Sequence, residues 1–363
     1  MGEKRILHIV SSLGTGSGVM AMLMNYHRHI DRERLQFDYL SFRNTTDTYE
    51  DEIRELGGRV YHISRPSPCG SFCGEMKSFF REHQGEYDTI HCHPLYTAVI
   101  FAPTARHYGV RRVIQHSHTT KYSDKRVSAV RNLLMLALFD HRITDFAACS
   151  QEAKRIFFWK KSEEVFLLPN AIDLPRYAFS EEARKELREQ YQLPPEATVI
   201  GHVGRFSPEK NHRFLLEAFA DYAQFDPTAR LLLVGDGVLQ EQVKQEAEAR
   251  GLGESVIFAG RTNHAERAYS AMDVFVLPSV FEGFGLAAAE AQANGLPCVL
   301  SDRVPKLADI GGNVCFLPIE KGTEPWLQGL RRAAAVGRAA GSVAPEWDIR
   351  RTVKQLERYY LEE

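Results

Sequence analysis

"MDVFVLPSVFEGFGLAAAEAQANGLPCVLSD", Met272 to Asp302, decides the fold. Val274 to Leu277 form an apolar run that meets a Pro-Ser turn, as a short buried strand does. A Gly-Phe-Gly-Leu step then opens an alanine-rich run. Alanine favours the helix, and Gly295 with Pro297 stops it. "PCVLSD" follows as another short strand. Strand, helix and strand at this spacing make the unit of a parallel sheet, because parallel neighbours need a crossover and the crossover covers a sheet face. Glu282 falls in the loop before the helix and Glu290 on its second turn. If both were helical, the eight steps at about 100° each would leave them about 80° apart. They flank a helix N-terminus instead, where unpaired N–H groups and the helix dipole attract anions.

The same alternation runs outward in both directions. "ATVIGHVGRFS", "RLLLVGDG" and "SVIFAG" read as strands, with "HRFLLEAFADYAQ" and "QEQVKQEAEARGLG" as helices between them. Nearer the N-terminus, "KRILHIV", "LQFDYLSF", "YDTIHCHP", "RRVIQHSH" and "ITDFAACS" are strands, with helical stretches such as "VMAMLMNYHRHI" between. Prolines 169 and 175 in "LPNAIDLPRY" break the series. The expectation is α/β, with a first domain over 1–170 and a second over 171–345. A C-terminal helix at about 346–363 is placed against the first. A chain of 363 residues suits two cores better than one.

Composition narrows the class. Hydrophobic content of 44% and charged content of 25% are those of a water-soluble globular chain. The longest apolar run, Leu133 to Phe139, is too short for a membrane span. The N-terminus turns polar early and reads as no secretory signal. Cys69 and Cys73 have no second pair at zinc-site spacing, so reduced thiols, a cytoplasmic setting and no metal are expected. Net charge is −2 but uneven. Residues 106–161 hold 12 Lys and Arg against 4 Asp and Glu. That segment is either a solvated face or a surface for an anionic partner, here an anionic membrane rather than nucleic acid.

A phosphate at the helix N-terminus, with a carboxylate to either side for hydroxyls, is the layout of a nucleoside diphosphate sugar. At this point "SVFEGFGLAAAEAQANGLPCVLSD" resembles the E-x7-E signature of the retaining glycosyltransferases of family 4, which have the GT-B fold of two Rossmann-like domains. "GRFSPEKNH", "LLLVGDG" and "LPNAID" are similar to further segments of that family. The N-terminal "HIVSSLGTGSG" region and "SDRVPKLADIGGNVCFLP" resemble a narrower group that builds bacterial capsular and exopolysaccharides. The resemblance implies hexosyl transfer from a nucleotide sugar, in particular a UDP-sugar, to a saccharide or lipid-linked saccharide, without a cofactor. It implies catalytic roles for Glu282, His118, Arg205 and Lys210. Donor contacts fall to Glu290, Phe284, Gly285, Leu286, Gly18, Arg261 and Gly235. His116 is the second choice for the sugar-facing histidine, and with His93 it is placed on the acceptor side; His91 is read with His93 as cleft lining. The family often has two adjacent glycines where this chain has Gly16-Ser17-Gly18.

Three rival readings have distinct signatures. A nicotinamide oxidoreductase needs G-x-G-x-x-G and an acid ending strand two, and "GTGSG" and "LSFRN" supply neither. A nucleotide-sugar epimerase or phosphorylase of the same fold would differ in its products. A binding protein without catalysis would not need the Glu, Arg and Lys set.

Overall fold

The computed structural model describes residues 3–362 except 16, 43, 44, 46, 68, 69, 120, 121, 123–125, 159–163, 263 and 340–342, and omits the side chains of 126–129. Gly16, Cys69, Lys121, Lys125, Lys160, Lys161 and the Arg126 side chain therefore lie outside the described residues. The chain divides into two units, Met1–Ala171 with Ile349–Glu363, and Ile172–Asp348.

The first unit holds a parallel sheet of seven strands: β1 (Lys4–Val10), β2 (Leu35–Ser41), β3 (Val60–His62), β4 (Thr89–Cys92), β5 (Arg112–Ser117), β6 (Asp145–Ala148) and β7 (Val165–Leu167). Their order is β3-β2-β1-β4-β5-β6-β7. β2 is buried at all seven positions, as expected of a strand covered by helices on both faces. The second unit holds six parallel strands: β8 (Val199–Val203), β9 (Arg230–Val234), β10 (Val256–Gly260), β11 (Val274–Leu277), β12 (Cys298–Ser301) and β13 (Val314–Leu317), in the order β10-β9-β8-β11-β12-β13. Each order reverses direction once, between β1 and β4 and between β8 and β11. Ligands of open parallel sheets bind beyond the strand ends at such a reversal. This is the two-sheet α/β architecture expected from the alternation.

Each sheet is covered on both faces. In the first unit one face is filled by residues such as Phe80, Phe101 and Phe146. The other holds Met22, Tyr26 and Phe37, with Ile349, Val353, Leu356 and Tyr360 of the C-terminal helix Ile349–Leu361. Among the described residues no helix is long and apolar enough to cross a membrane. The described cysteines are free thiols.

The Leu133–Phe139 run lies in the helix Arg126–Phe139. Leu136 is buried, whereas Leu133, Leu134 and Leu138 are exposed.

Candidate active site

The second unit gathers charge at its sheet reversal. After β8 the chain runs through Gly204 and Arg205 into a single 3-10 turn, Pro208–Lys210. After β11 it runs through Pro278 to Glu282. Two contacts fasten these loops. The Val280 amide donates to the Glu209 carbonyl at 2.9 Å, and Asn211 Nδ2 donates to the Pro278 carbonyl at 3.3 Å. Asn211 takes φ +55°, a left-handed conformation that asparagine tolerates better than most residues. Lys210 Nζ thereby reaches Glu282 Oε1 at 2.5 Å, and Ser279 Oγ donates to the same oxygen at 2.7 Å. Both charged side chains are largely screened from solvent, at 20% and 11% exposure, so their attraction is stronger than that of a surface pair. Arg205 is exposed on the same loop.

Beyond Glu282 the backbone turns sharply. Gly285 caps the helix Leu286–Ala293 at φ +92°. A Cβ there would lie 3.2 Å from Val304 Cγ1, so both the angle and the space favour glycine. Phe284 is buried against Trp347, with ring centroids 5.7 Å apart. Its side chain anchors the turn and leaves the backbone amides at the helix start as the polar feature. On the next turn Glu290 Oε1 accepts from Tyr177 Oη at 3.0 Å and Oε2 from Tyr269 Oη at 2.7 Å. Burial raises the Glu290 carboxyl above its ordinary range, and the two phenols partly offset this.

The strand-end glycine Gly235 has a steric cause of its own. At φ +139°, a Cβ would come within 2.1 Å of the Gly204 carbonyl oxygen. Gly235 thus lets the loops after β8 and β9 touch. Arg261 is exposed just beyond β10.

In the first unit the glycine loop follows β1. Ser17 caps the helix Gly18–His29, its Oγ accepting from the Met20 amide at 3.4 Å. A Cβ on Gly18 would meet nothing within 4 Å, so no protein neighbour requires glycine there. Beside it, parallel pairing sets His8 of β1 opposite His91 of β4. The two-residue period of a strand then puts His93 above His91, and His118 above His116. The result is a stack of five imidazoles. His8 Nδ1 and His93 Nε2 are 2.9 Å apart, and His93 Nδ1 and His118 Nε2 are 2.8 Å apart. His93 therefore donates to one neighbour and accepts from the other if all three rings are neutral. His91 Nδ1 meets the Tyr360 hydroxyl. Burial holds all five below the ordinary histidine range, with His118 lowered to about 3.

The sequence reading takes His91 and His93 as cleft lining, and His116 with His93 as the acceptor side. His91 and His116 are fully buried and His93 is 6% exposed, each ring packed against the others of the stack. His118 alone of these four is partly exposed. Two triads, His8–His91–His93 and His93–His116–His118, offer ring nitrogens within 4.8 Å of one another and are the described residues that could hold a metal. Both consist of imidazoles alone.

Sequence reasoning missed His8, Ser279, Tyr177 and Tyr269. His8 stands inside an apolar strand with no local signal. The tyrosines are distant in sequence from Glu290 and meet it through packing of separate helices.

Residues 183–313 match the family described as "Glycosyl transferases group 1". The chain is 34% identical over 347 residues to the putative glycosyltransferase EpsF of Bacillus subtilis (strain 168), covering 93% of this chain and 89% of that one. It is 31% identical over 291 residues to the UDP-Gal:alpha-D-GlcNAc-diphosphoundecaprenol alpha-1,3-galactosyltransferase of Escherichia coli, covering 76% and 71%. Among solved structures, Anabaena HepE in complex with UDP and glucose shares the fold at a TM-score of 0.75 and 20% identity, over 99% of this chain and all of the other. WaaG, a glycosyltransferase involved in lipopolysaccharide biosynthesis, shares it at 0.66 and 14%, again over 99% of this chain and all of the other. With this fold, and with EpsF matched along nearly its whole length, the chain belongs to the group 1 glycosyltransferases of GT-B type.

Proposed function

We propose that the protein is a retaining hexosyltransferase that takes its sugar from a UDP-sugar and builds an exopolysaccharide. The acceptor is a saccharide or a lipid-linked saccharide, which brings the enzyme to the inner face of a membrane. The observation that carries this reading is the Lys210–Glu282–Ser279 cluster at the reversal of the second sheet, one turn before a helix N-terminus. The EpsF likeness supports the polysaccharide setting. The E. coli relative, named for UDP-galactose and a diphosphoundecaprenol acceptor, supports the donor and the lipid.

In this mechanism Arg205 and Lys210 hold the diphosphate, with the amides at Gly285 and Leu286 beside them. The bond from the anomeric carbon to the diphosphate oxygen breaks. The acceptor oxygen forms its bond on the same face, and its proton passes to the departing phosphate oxygen. Fixed cations stabilise the charge that develops on the leaving group, commonly the largest catalytic contribution. Glu282 exchanges Lys210 for donor hydroxyls, and Glu290 exchanges a tyrosine for the ribose. His118 meets the hexose. No resident metal or cofactor is assigned.

A screen of UDP- and GDP-sugars tests this, measuring nucleotide release with and without lipid-linked saccharides. Acceptor-dependent UDP release with an unchanged anomeric configuration is the expected result. A new free nucleotide sugar formed without acceptor would establish an epimerase instead.

A further inference from the structure

The histidine stack holds ring nitrogens that bind nothing. His116 is fully buried, and neither its Nδ1 nor its Nε2 has a hydrogen-bond partner. His118 Nδ1 is buried without a partner as well. A neutral imidazole has one donor and one acceptor, so His116 leaves a lone pair unused in the core. Buried polar atoms are nearly always paired, and an unpaired one calls for a cause such as an ion. Three of the rings converge at the carboxyl ends of neighbouring strands. His116 and His118 lie two residues apart at the end of β5, and His93 directly follows β4. The ring centroids of His116 and His118 are 3.9 Å apart, those of His93 and His118 5.0 Å, and those of His93 and His116 5.5 Å. Each ring offers one nitrogen, and the three nitrogens lie within 4.8 Å of one another.

Ligand chemistry selects the ion. Imidazole nitrogen suits zinc, copper and nickel. Three imidazoles, with His118 partly exposed, supply three protein ligands and leave a fourth position to water, as in open zinc sites. His93 has the outer support that such a ligand needs. With Nδ1 toward the ion, its Nε2–H keeps the 2.9 Å hydrogen bond to His8 Nδ1, which fixes the tautomer. His93 Nδ1 and His118 Nε2 now share a proton across 2.8 Å. Zinc–nitrogen bonds in a tetrahedron set ligand nitrogens about 3.3 Å apart. His118 therefore moves outward by about half an ångström and carries its proton on Nδ1 instead of Nε2. Charge argues against the inner triad, His8, His91 and His93. Its rings are 0%, 0% and 6% exposed, and a divalent ion there would lose its water with no carboxylate to offset the charge.

We propose that His93, His116 and His118 form a zinc site whose occupation stops sugar transfer. The ion takes no part in the reaction. It withholds His118 from the hexose, so this effect rests on the reading of His118 as the hexose contact. The test uses the untagged full chain, stripped with EDTA and desalted. It is titrated with Co²⁺, which absorbs visible light when four-coordinate, and then with Zn²⁺. X-ray absorption of the zinc-loaded wild type reads the ligands directly and needs no variant. His116→Gln removes one ligand, His91→Gln alters the inner triad alone, and His107→Gln removes an exposed histidine elsewhere in the first unit. Thermal melts verify that each variant folds.

Wild type should bind one equivalent of Co²⁺, and Zn²⁺ should displace it and raise the melting temperature. X-ray absorption should show nitrogen and oxygen ligands with three imidazoles. Zn²⁺ at one equivalent should lower nucleotide release about tenfold or more, and EDTA should restore it. His116→Gln should bind at least tenfold more weakly and need correspondingly more Zn²⁺ for inhibition. His91→Gln and His107→Gln should behave as wild type. Absence of binding, sulfur among the ligands, or equal affinity in His116→Gln overturns the proposal. So does loss of binding in His91→Gln alone, since the ion would then sit in the inner triad. Zinc held by three imidazoles in a chain that turns over at its metal-free rate would instead overturn the reading of His118 at the hexose, so the two failures are distinguishable.

Discussion

At the residue scale, the central pair is Lys210 and Glu282, 2.5 Å apart. In the proposed mechanism each side chain turns from the other toward the donor. Losing a hydrogen bond to a charged group costs about 1.5–3 kcal/mol, roughly a tenfold to hundredfold loss in turnover. Glu282→Ala and Lys210→Ala should each fall in that range, whereas Lys185→Ala on an exposed helix should change little. The two act as one network, so the double variant should be only slightly worse than either single variant. Fully multiplicative losses in kcat/KM would show that they work independently. Fixed cations at the diphosphate also predict activity in excess EDTA. Loss of turnover in EDTA, restored by Mg²⁺ or Mn²⁺, would contradict that and turn attention to the histidine triads. Those histidines carry a pH prediction. Burial depresses His8, His91, His93, His116 and His118, the last to about 3. The unfolded chain takes up these protons from about pH 6.5 downward and the folded chain does not, so stability falls as pH falls through that window. The upper limit is about 1.4 kcal/mol per histidine per pH unit. The urea midpoint should drop between about pH 6.5 and pH 5, and His118→Gln should make the slope shallower. A flat profile would mean that the stack protonates without unfolding. None of this depth was legible from "IHCHP" and "QHSH". A two-residue spacing places histidines on one face of a strand, but only strand order decides what covers that face.

At the element scale, legibility followed burial. The central strands were readable because both of their faces are covered and most of their residues are apolar, as in Val274–Leu277. β3, β7 and β13 were not singled out. They are edge strands of three or four residues, half-buried, with too little apolar sequence to distinguish them from loops. The helix Arg126–Phe139 was obscure for the opposite reason. Apolar on both faces, it shows no period that separates a buried side from an exposed one. The helix Leu286–Ala293 was legible at both ends because glycine marks each. Gly285 gives the sharper test. Alanine there meets φ +92° and a Val304 methyl at 3.2 Å. Left-handed backbone costs an L-residue roughly 1–2 kcal/mol. Gly285→Ala should lower stability by about that amount, and relaxation of the turn should move the helix start and weaken donor binding. Wild-type KM for the donor, in a variant destabilised as expected, would separate the turn from the site.

At the scale of the whole molecule, the chain leaves the first unit at Ala171 and returns to it at Ile349. Helix propensity says nothing of where a terminal helix docks, since docking is a property of the surface it meets. Here that surface is the helix Gly18–His29 and the open face of the first sheet. Ile349, Val353, Leu356 and Tyr360 are each at most 5% exposed. Fully burying side chains of this size is worth about 1.5–3 kcal/mol each, and a domain's net stability is only about 5–15 kcal/mol. Tyr360 also closes the histidine stack through His91. Ending the chain at Asp348 should therefore unfold or loosen the first unit, exposing the stack to water, and leave the second unit's own core intact. Hydrogen exchange read by mass spectrometry resolves the two. Amides of β1, β2 and β4 should lose protection in the truncated chain, and those of β8, β11 and β12 should keep it. Tyr360→Phe in the full-length chain should show a smaller loss centred on β4, since it removes one hydroxyl and keeps the packing. Unchanged protection of β1 and β4 after truncation would mean that the first unit closes its core without the returning helix.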